Sequence, residues 1–358
     1  VKTTTVTSTV DYPRGEEAAA NVISYMNETE KDTKEMWRAE TTSTQTLNDG
    51  SLNGYNGLSM FNSMANEDMT VFFENFGMMG WQSGNRYTYA ESSPVTNTFM
   101  NLKYLISRDG RYQNSYDLTN YYQQGSIILL KNEHYIPMGF MVNSDLLKWQ
   151  VNRNEDQFNP FDRQNEFFKL ATGVTDNVYT QLEVVSQGHT DYSQFPVNKI
   201  SYGNYSYNCT DTTTTPHLKW NYTAPYTGYV YVYADIDGKD DVSLMINDES
   251  QNAKTLGMSR PYIACGGYVN EGDKISVYAE LPQGQAGNAH VYVNMLNQDV
   301  FEQGYAQISK DVMTTTECTG SSMKGTINAS EDGLFYTSIP NEEGGWKAYV
   351  DGREVNIT

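Results

Sequence analysis

No stretch of this sequence holds about 18 consecutive apolar residues, the length a helix needs to cross a bilayer, so no membrane-spanning helix is expected within it. Cysteine is scarce: Cys209, Cys265 and Cys318 lie far apart, with no C-x-x-C spacing. That argues against a disulfide-stapled framework and a zinc site, and all three thiols are expected to be reduced or inert. Basic side chains are also few. The 24 Lys and Arg stand against 44 Asp and Glu, giving a net charge of −20. A field of that sign repels phosphate backbones, which argues against nucleic acid as a partner and disfavours anionic lipid surfaces. The acidic residues are dispersed, as on a solvated surface.

Catalytic signatures are missing as well. There is no G-x-S-x-G, no P-loop and no dinucleotide fingerprint. The four histidines, His134, His189, His217 and His290, stand alone, without partners at metal-ligand spacing. The stretch Asp235-Ile-Asp237-Gly238-Lys-Asp240-Asp241 has the acidic texture of a calcium loop but lacks its closing Glu and flanking helices, so a polar turn is expected. No catalytic residue, metal ligand or cofactor site is read from the residues. Paired carboxylates for glycoside hydrolysis are defined by separation in space, which spacing in sequence does not give.

What is abundant is tyrosine, with 28 residues. Its apolar ring and polar tip suit strands, half-buried faces and surfaces that touch sugar or protein. The chain is long for one core, so two packed units are expected, 1–180 and 181–358. In the first, Ala18, Ala19, Val22, Ile23 and Met26 recur at helical spacing after Pro13 and Gly15. Met36 to Thr41 reads as a strand, and the Gly- and Asn-rich Asn48 to Ser63 as a long loop. Met69, Phe72, Phe73 and Phe76 mark a helix with Asn66 as its cap and Gly77 past its end. A short helix begins near Pro94 and leads into an extended Lys103–Arg108. Ile127–Lys131 reads as a strand, and Asp162 to Thr172 as a helix stopped by Gly173. This unit is α+β.

From about residue 183 helical periodicity is absent, and strand-length runs recur between turn residues. Tyr229, Tyr231 and Tyr233 alternate with Val230, Val232 and Ala234. Val242, Leu244 and Ile246 alternate likewise, as do Ile275, Val277, Ala279 and Leu281, and Val291, Val293 and Met295. One apolar face per strand predicts an all-β sandwich of jelly-roll type. Asp351-Gly352 predicts a hairpin over Trp346–Ile357 that completes it.

Two places invite ligands. In the loop, Arg38 with Asn48, Tyr55, Ser59 and Ser63 is a candidate site, because a Gly-rich loop lets backbone approach a ligand while Arg supplies a charged donor. The competing reading folds the loop onto the 69–76 helix with Phe61 as anchor. The ladder Tyr229, Tyr231, Tyr233 is a candidate platform for sugar rings, against coverage by the neighbouring unit.

Several phrases resemble the YfhO family of bacterial membrane proteins. The most specific run is Gly333-Leu-Phe-Tyr-Thr-Ser-Ile-Pro340, followed by Gly345-Trp346-Lys-Ala-Tyr-Val-Asp351-Gly352. Trp37-Arg38, Asn48, Gly54-Tyr55, Ser59, Phe61 and Ser63 match the early loop. Lys103-Tyr104, Asn159-Pro-Phe161 and Gln164-Asn165 match the middle. Gly344 is an additional glycine at the last motif. The resemblance implies a multi-pass glycosyltransferase that uses lipid-linked sugar to decorate cell-envelope polymers such as teichoic acids. This chain is then an extracytoplasmic, non-catalytic region whose partners are its own transmembrane part and possible envelope polysaccharide or lipid-linked sugar. Val1-Lys-Thr-Thr-Thr, without Met, accords with a piece of something longer. The alternative is a carbohydrate-binding or adhesion module. A secreted glycoside hydrolase has no motif behind it.

Overall fold

The computed structural model describes residues 17–44, 46–80, 85–110, 115–152, 158–189, 197–209, 215–239, 241–250, 253–257, 260–341 and 345–358. Pro13, Gly15, Thr210 to Thr214 of the Thr-rich tract, Asp240 and Gly344 lie outside them.

In the first unit, two apolar runs form the centre of a sheet covered on both faces there, flanked by more polar edge strands. Its strands lie in the order Arg38–Thr41, Leu102–Ser107, Ile127–Asn132, Leu118–Gln124, the first pair parallel and the rest antiparallel. Because side chains alternate along a strand, the run Ile127-Ile-Leu-Leu serves two cores. Ile127 and Leu129 join Tyr104, Ile106 and the Val22, Ile23 and Met26 stripe of α1 (Glu17–Thr29). Ile128 and Leu130 face Phe73, Val95, Phe99, Phe167 and Phe168.

The helices on that second face start where their caps dictate. The Asn66 side chain accepts from the Asp68 N–H at the head of α3 (Glu67–Asn75), which follows α2 (Asp49–Asn53), a short helix inside the expected long loop. Ser93 caps α4 (Pro94–Phe99) with Pro94 in the first turn, where a missing N–H costs nothing. Asn159 caps α5 (Pro160–Thr172), which Gly173 ends in the left-handed conformation, φ 78°.

The β region is a two-sheet sandwich. One sheet orders Ser186–His189, His217–Thr223, Lys274–Glu280, Asp241–Ile246 and Lys254–Gly257. The other orders Val197–Ser201, Asn204–Cys209, Gln285–Leu296, Gly228–Ile236 and Ala264–Val269, with Tyr179–Gln181 also on Gln285–Leu296. Leu218, Trp220, Val230, Val232, Val242, Leu244, Ile275, Val277, Val291 and Val293 fill the space between them. The expected alternation is therefore real, but it has a second consequence. Tyr231, Tyr233 and Tyr292, on the other face of the second sheet, belong to the core of the first unit. That sheet is buried on both sides.

Two expectations are corrected. Residues beyond 183 are not free of helix: α6 (Gln298–Ile308) is capped by Asn297 and buries Val300, Phe301, Gly304 and Ile308. It lies against α5, with Gly304 so close that a Cβ there would stand 2.3 Å from the Phe168 ring. The C-terminal hairpin does not complete the sandwich. Ala348–Val350 and Arg353–Val355 pair only with each other, as three-residue strands whose Tyr349 and Val350 are exposed. Asp351 and Gly352 take positive φ, as the expected tight turn requires.

Beyond α6 the chain returns to the first unit. Val312 bridges to Phe140, and Leu334–Tyr336 pairs antiparallel with Phe140–Val142. A division at residue 180 therefore does not describe where this last part of the chain packs.

Candidate functional site

The loop singled out by its glycines folds over a buried carboxylate. Glu40, on the edge strand Arg38–Thr41, is 2% exposed, and its Oε1 accepts from the Leu58 N–H and, at 2.6 Å, the Ser59 N–H. Burial pushes the Glu40 carboxyl up to about 7, while the amide hydrogen bonds oppose that shift. Beside it Asp49, 2% exposed, lies 3.5 Å from the Arg108 guanidinium and accepts from the Tyr55 hydroxyl at 3.4 Å. Burial, then Glu40 and Asp49, push the Tyr55 phenol up.

The predicted site residues do not converge on a ligand position. Arg38 is 7% exposed and donates to Met100 O at 3.0 Å, Ser338 O at 3.1 Å and Ser338 Oγ. Burial lowers its guanidinium to about 10. It therefore joins the early motif to the Ser338-Ile-Pro340 motif across the whole sequence. Asn48 clamps the Phe61 backbone in both directions, Nδ2 to O and N–H to Oδ1, each at 2.9 Å. Ser59 Oγ accepts from the Tyr89 N–H at 2.9 Å. Ser63 is exposed at the loop tip. Arg38, Asn48 and Ser59 thus hold the fold, because each spends polar atoms on other parts of the chain. Phe61 is not the anchor either: it is 45% exposed, and Leu58, at 8%, is the loop residue in the core with Phe73.

Two rungs of the tyrosine ladder are covered. Tyr231 is fully buried and Tyr233 is 8% exposed, while Tyr229 is half-buried and packs edge-on to Tyr116 at 5.6 Å. Tyr231 and Tyr233 thus face the first unit, and only Tyr229, edge-on to exposed Tyr268 at 5.3 Å, reaches the surface.

Sequence reasoning missed what lies on the near side of the same loop. An open cleft of about 340 Å³ is lined by Asn27, Trp37, Gly50, Ser51, Gly54, Tyr55 and Asn56. Tyr55 is the one predicted site residue found there. Gly54, at φ 78°, closes α2 and donates to Gly50 O at 2.8 Å, while Asn27 Nδ2 donates to Gly54 O at 3.2 Å. Gly50 has no room for a side chain: a Cβ would stand 2.8 Å from Tyr55 O and 2.9 Å from Gly57 N. Asn56 Nδ2 donates to Trp37 O at 3.3 Å, and Trp37 sits edge-on to Tyr104 at 5.7 Å. A carboxamide has two N–H donors and a two-lone-pair oxygen, so Asn27 and Asn56 retain capacity for further bonds. The only signal in the sequence was the density of Asn and Gly between 48 and 57.

The histidines are spread out. His134 Nε2 lies 2.7 Å from Glu302 and its ring stacks on Tyr116, tying α6 to the first unit. His290 Nδ1 meets Asn204 Oδ1 at 2.6 Å, and His217 stands 3.7 Å from Glu280. His189 ends a strand of the sandwich. Among the described residues no three His, Cys, Asp or Glu side chains gather as metal ligands, and no helix is long and apolar enough to cross a membrane. Asp237, in the acidic turn, spends Oδ2 on the Asn288 N–H at 2.7 Å.

The family described as bacterial membrane protein YfhO matches residues 2–358. No curated protein matches the sequence. Among solved structures, the chain is similar to a family 35 carbohydrate binding module from Clostridium thermocellum, at 11% identity over 32% of this chain and 96% of that one, TM-score 0.23. It is likewise similar to a low-affinity xylan binding module from Roseburia intestinalis, at 15% identity over 34% of this chain and 96% of that one, TM-score 0.22. Scores this low establish neither a shared fold nor a shared ligand.

Proposed function

The chain belongs to the YfhO family of bacterial membrane proteins, and on that footing we propose that it is the extracytoplasmic, non-catalytic region of a membrane glycosyltransferase that uses lipid-linked sugar. Its task in this reading is to hold a glycan of the cell envelope, acceptor or donor, while the membrane part carries the chemistry. The observation that carries the reading is the cleft beside α2. A sugar ring presents hydroxyls all round and an apolar face of C–H groups. It is bound by carboxamides, backbone groups and aromatic rings set close together. Asn27, Asn56, Ser51 and the Gly50 and Gly54 backbone supply the first kinds of group, while Trp37 and Tyr55, each 8% exposed, line the cleft as part of the core beneath it. At about 340 Å³ the cleft is at the small end for a ligand pocket, which suits one or two sugar units. A net charge of −20 favours a neutral glycan segment over a bare polyanion, which would need divalent cations as a bridge.

The experiment is titration of the chain with neutral and teichoic-acid-type oligosaccharides by calorimetry and ligand-observed NMR. One class should saturate, and Asn27→Ala and Asn56→Ala should each weaken it about tenfold, the worth of one or two lost hydrogen bonds, with stability lowered by no more than about 1 kcal/mol for the bond each makes to Gly54 O or Trp37 O. If no glycan saturates, or both variants bind as the parent does, the cleft is not the site. A carbohydrate-binding or adhesion module would show the same binding. It is separated by assaying transfer in the membrane-embedded protein, which Asn56→Ala should reduce only under the glycosyltransferase reading.

A further inference from the structure

The loop that forms the cleft has an outer side that water does not explain. Leu52 is 41% exposed, Met60 38%, Phe61 45% and Met64 87%, all within thirteen residues of sequence. These are not side chains on a loose segment. Asn48 fixes the Phe61 backbone from both sides, Asn62 Oδ1 accepts from the Met64 N–H at 2.9 Å, and the Asn62 N–H donates to Asn85 O at 2.9 Å. The Tyr87 hydroxyl reaches Met60 Sδ at 3.4 Å. A backbone held this firmly presents Met60, Phe61 and Met64 outward at fixed positions, with Leu52 exposed on α2 of the same loop.

Charge is sparse in the same stretch of sequence. From Thr41 to Asn66 the only charged residue is Asp49, and it is buried against Arg108. In a chain where 19% of residues are charged, about five would be expected over such a length. In space Arg86 stands across the strand pair from Phe61, and exposed Glu67 and Asp68 follow Asn66, so the charge-poor stretch is the apolar loop itself; exposed apolar groups held in this way mark a contact surface.

We propose that this surface, Leu52, Met60, Phe61 and Met64, inserts into the interfacial layer of the bilayer that carries the protein. The occupant follows from two facts. The family is one of membrane proteins, so a lipid surface is always at hand. The chain as a whole, at −20, is repelled by anionic headgroups, so approach must be through an apolar element poor in charge, and this loop is one. Phe and Met side chains transfer into the acyl boundary at no electrostatic cost. Docking would also set the cleft, built from Gly50 to Asn56 of the same loop, at the height of lipid headgroups. The proposal does not depend on what the cleft binds.

Two measurements test it. First, the chain should co-float with neutral phosphatidylcholine vesicles, with little sensitivity to salt. Phe61→Ser and Met64→Ser should each lower partitioning about fivefold, as half-exposed to exposed apolar side chains leaving the interface would, with the unfolding midpoint unchanged. Second, a nitroxide on Met64→Cys in the membrane-embedded protein should be reached by oxygen and shielded from a water-soluble nickel chelate. Absence of co-flotation, co-flotation that survives the double serine variant, or a nitroxide open to the chelate each overturns the proposal. So does a nitroxide immobilised against the protein's own helices, which would make the partner protein. Glycan titration of the serine variants is separate, and its failure would bear on the cleft alone.

Discussion

Glu40 makes the fold depend on pH in a direction opposite to most carboxylates. An ordinary ion-paired Asp or Glu has its folded pKa depressed and stabilises at neutral pH. Glu40 is raised from 4.5 to about 7, chiefly by burial. Between those values the folded state binds more protons than the unfolded one, so stability falls as pH rises. The fall begins near 4.5, is complete above about 7, and spans 2.5 pH units (7 − 4.5). At about 1.4 kcal/mol per unit this amounts to about 3 kcal/mol. Glu40→Gln removes the titrating proton while keeping an oxygen that accepts from the Leu58 and Ser59 N–H groups. The variant should stand within about 1 kcal/mol of the parent at pH 5 and gain further by pH 8, by up to about 3 kcal/mol in all, less whatever the charge adds to those two hydrogen bonds. Urea unfolding of both proteins from pH 5 to 8 measures it. Parallel stability curves across that range would refute the reasoning, as would an NMR titration placing the Glu40 carboxyl near 4.5.

Three further outcomes follow from contacts already described. Arg38→Met and Ser338→Ala should each destabilise, the former by about 2–3 kcal/mol through its orphaned carbonyls, and a double-mutant cycle should show coupling above about 0.5 kcal/mol; independent effects would mean that the two motifs do not meet. Gly304→Ala should cost about 1–3 kcal/mol by driving a methyl into Phe168, read as a lower urea midpoint at unchanged slope. Thiol counting in denaturant should find three free cysteines, and in the native protein Cys318 should react before buried Cys209 and Cys265, the last held at about 11 by burial.

The sequence displayed its local geometry well. Asn66, Ser93 and Gly173 cap and stop helices where their chemistry says they should, and the alternating valines of Gly228–Ile236 fill the sandwich. The motif residues Gln164 and Asn165 were visible, but their use was not. Gln164 braces Phe76 O at 2.7 Å, and Asn165 clamps the Tyr179 backbone at 2.8 and 3.1 Å. Such partners lie 14 or 88 residues away, and no period reports them. Two local signals were overlooked. Asn297 with Val300, Phe301, Gly304 and Ile308 is a capped helical stripe, hidden by the strands before it. The scarcity of charge in residues 41–66 was there to be read, but loops rich in Asn and Gly draw the eye to ligands. Arg38 shows the deeper limit. A buried Arg that braces carbonyls and an exposed Arg that binds a ligand are the same letter, and burial is decided by the rest of the chain.

The return of residues 312–338 to the first unit dictates an order of events during synthesis. Phe140–Val142 finds its strand partner in Leu334–Tyr336, and Arg38 its donors' targets in Ser338, a separation of 300 residues. Until that late segment emerges, the edge at Phe140–Val142 is unpaired and the Phe99 and Phe140 rings lack Tyr336. The sandwich, a nested block whose pairings all lie between residues 179 and 296, can close first. The first unit is thus begun first and finished last. While it waits it offers an apolar edge to any chain nearby, and a nascent copy of this protein will need protection from its neighbours until nearly its 340th residue is free.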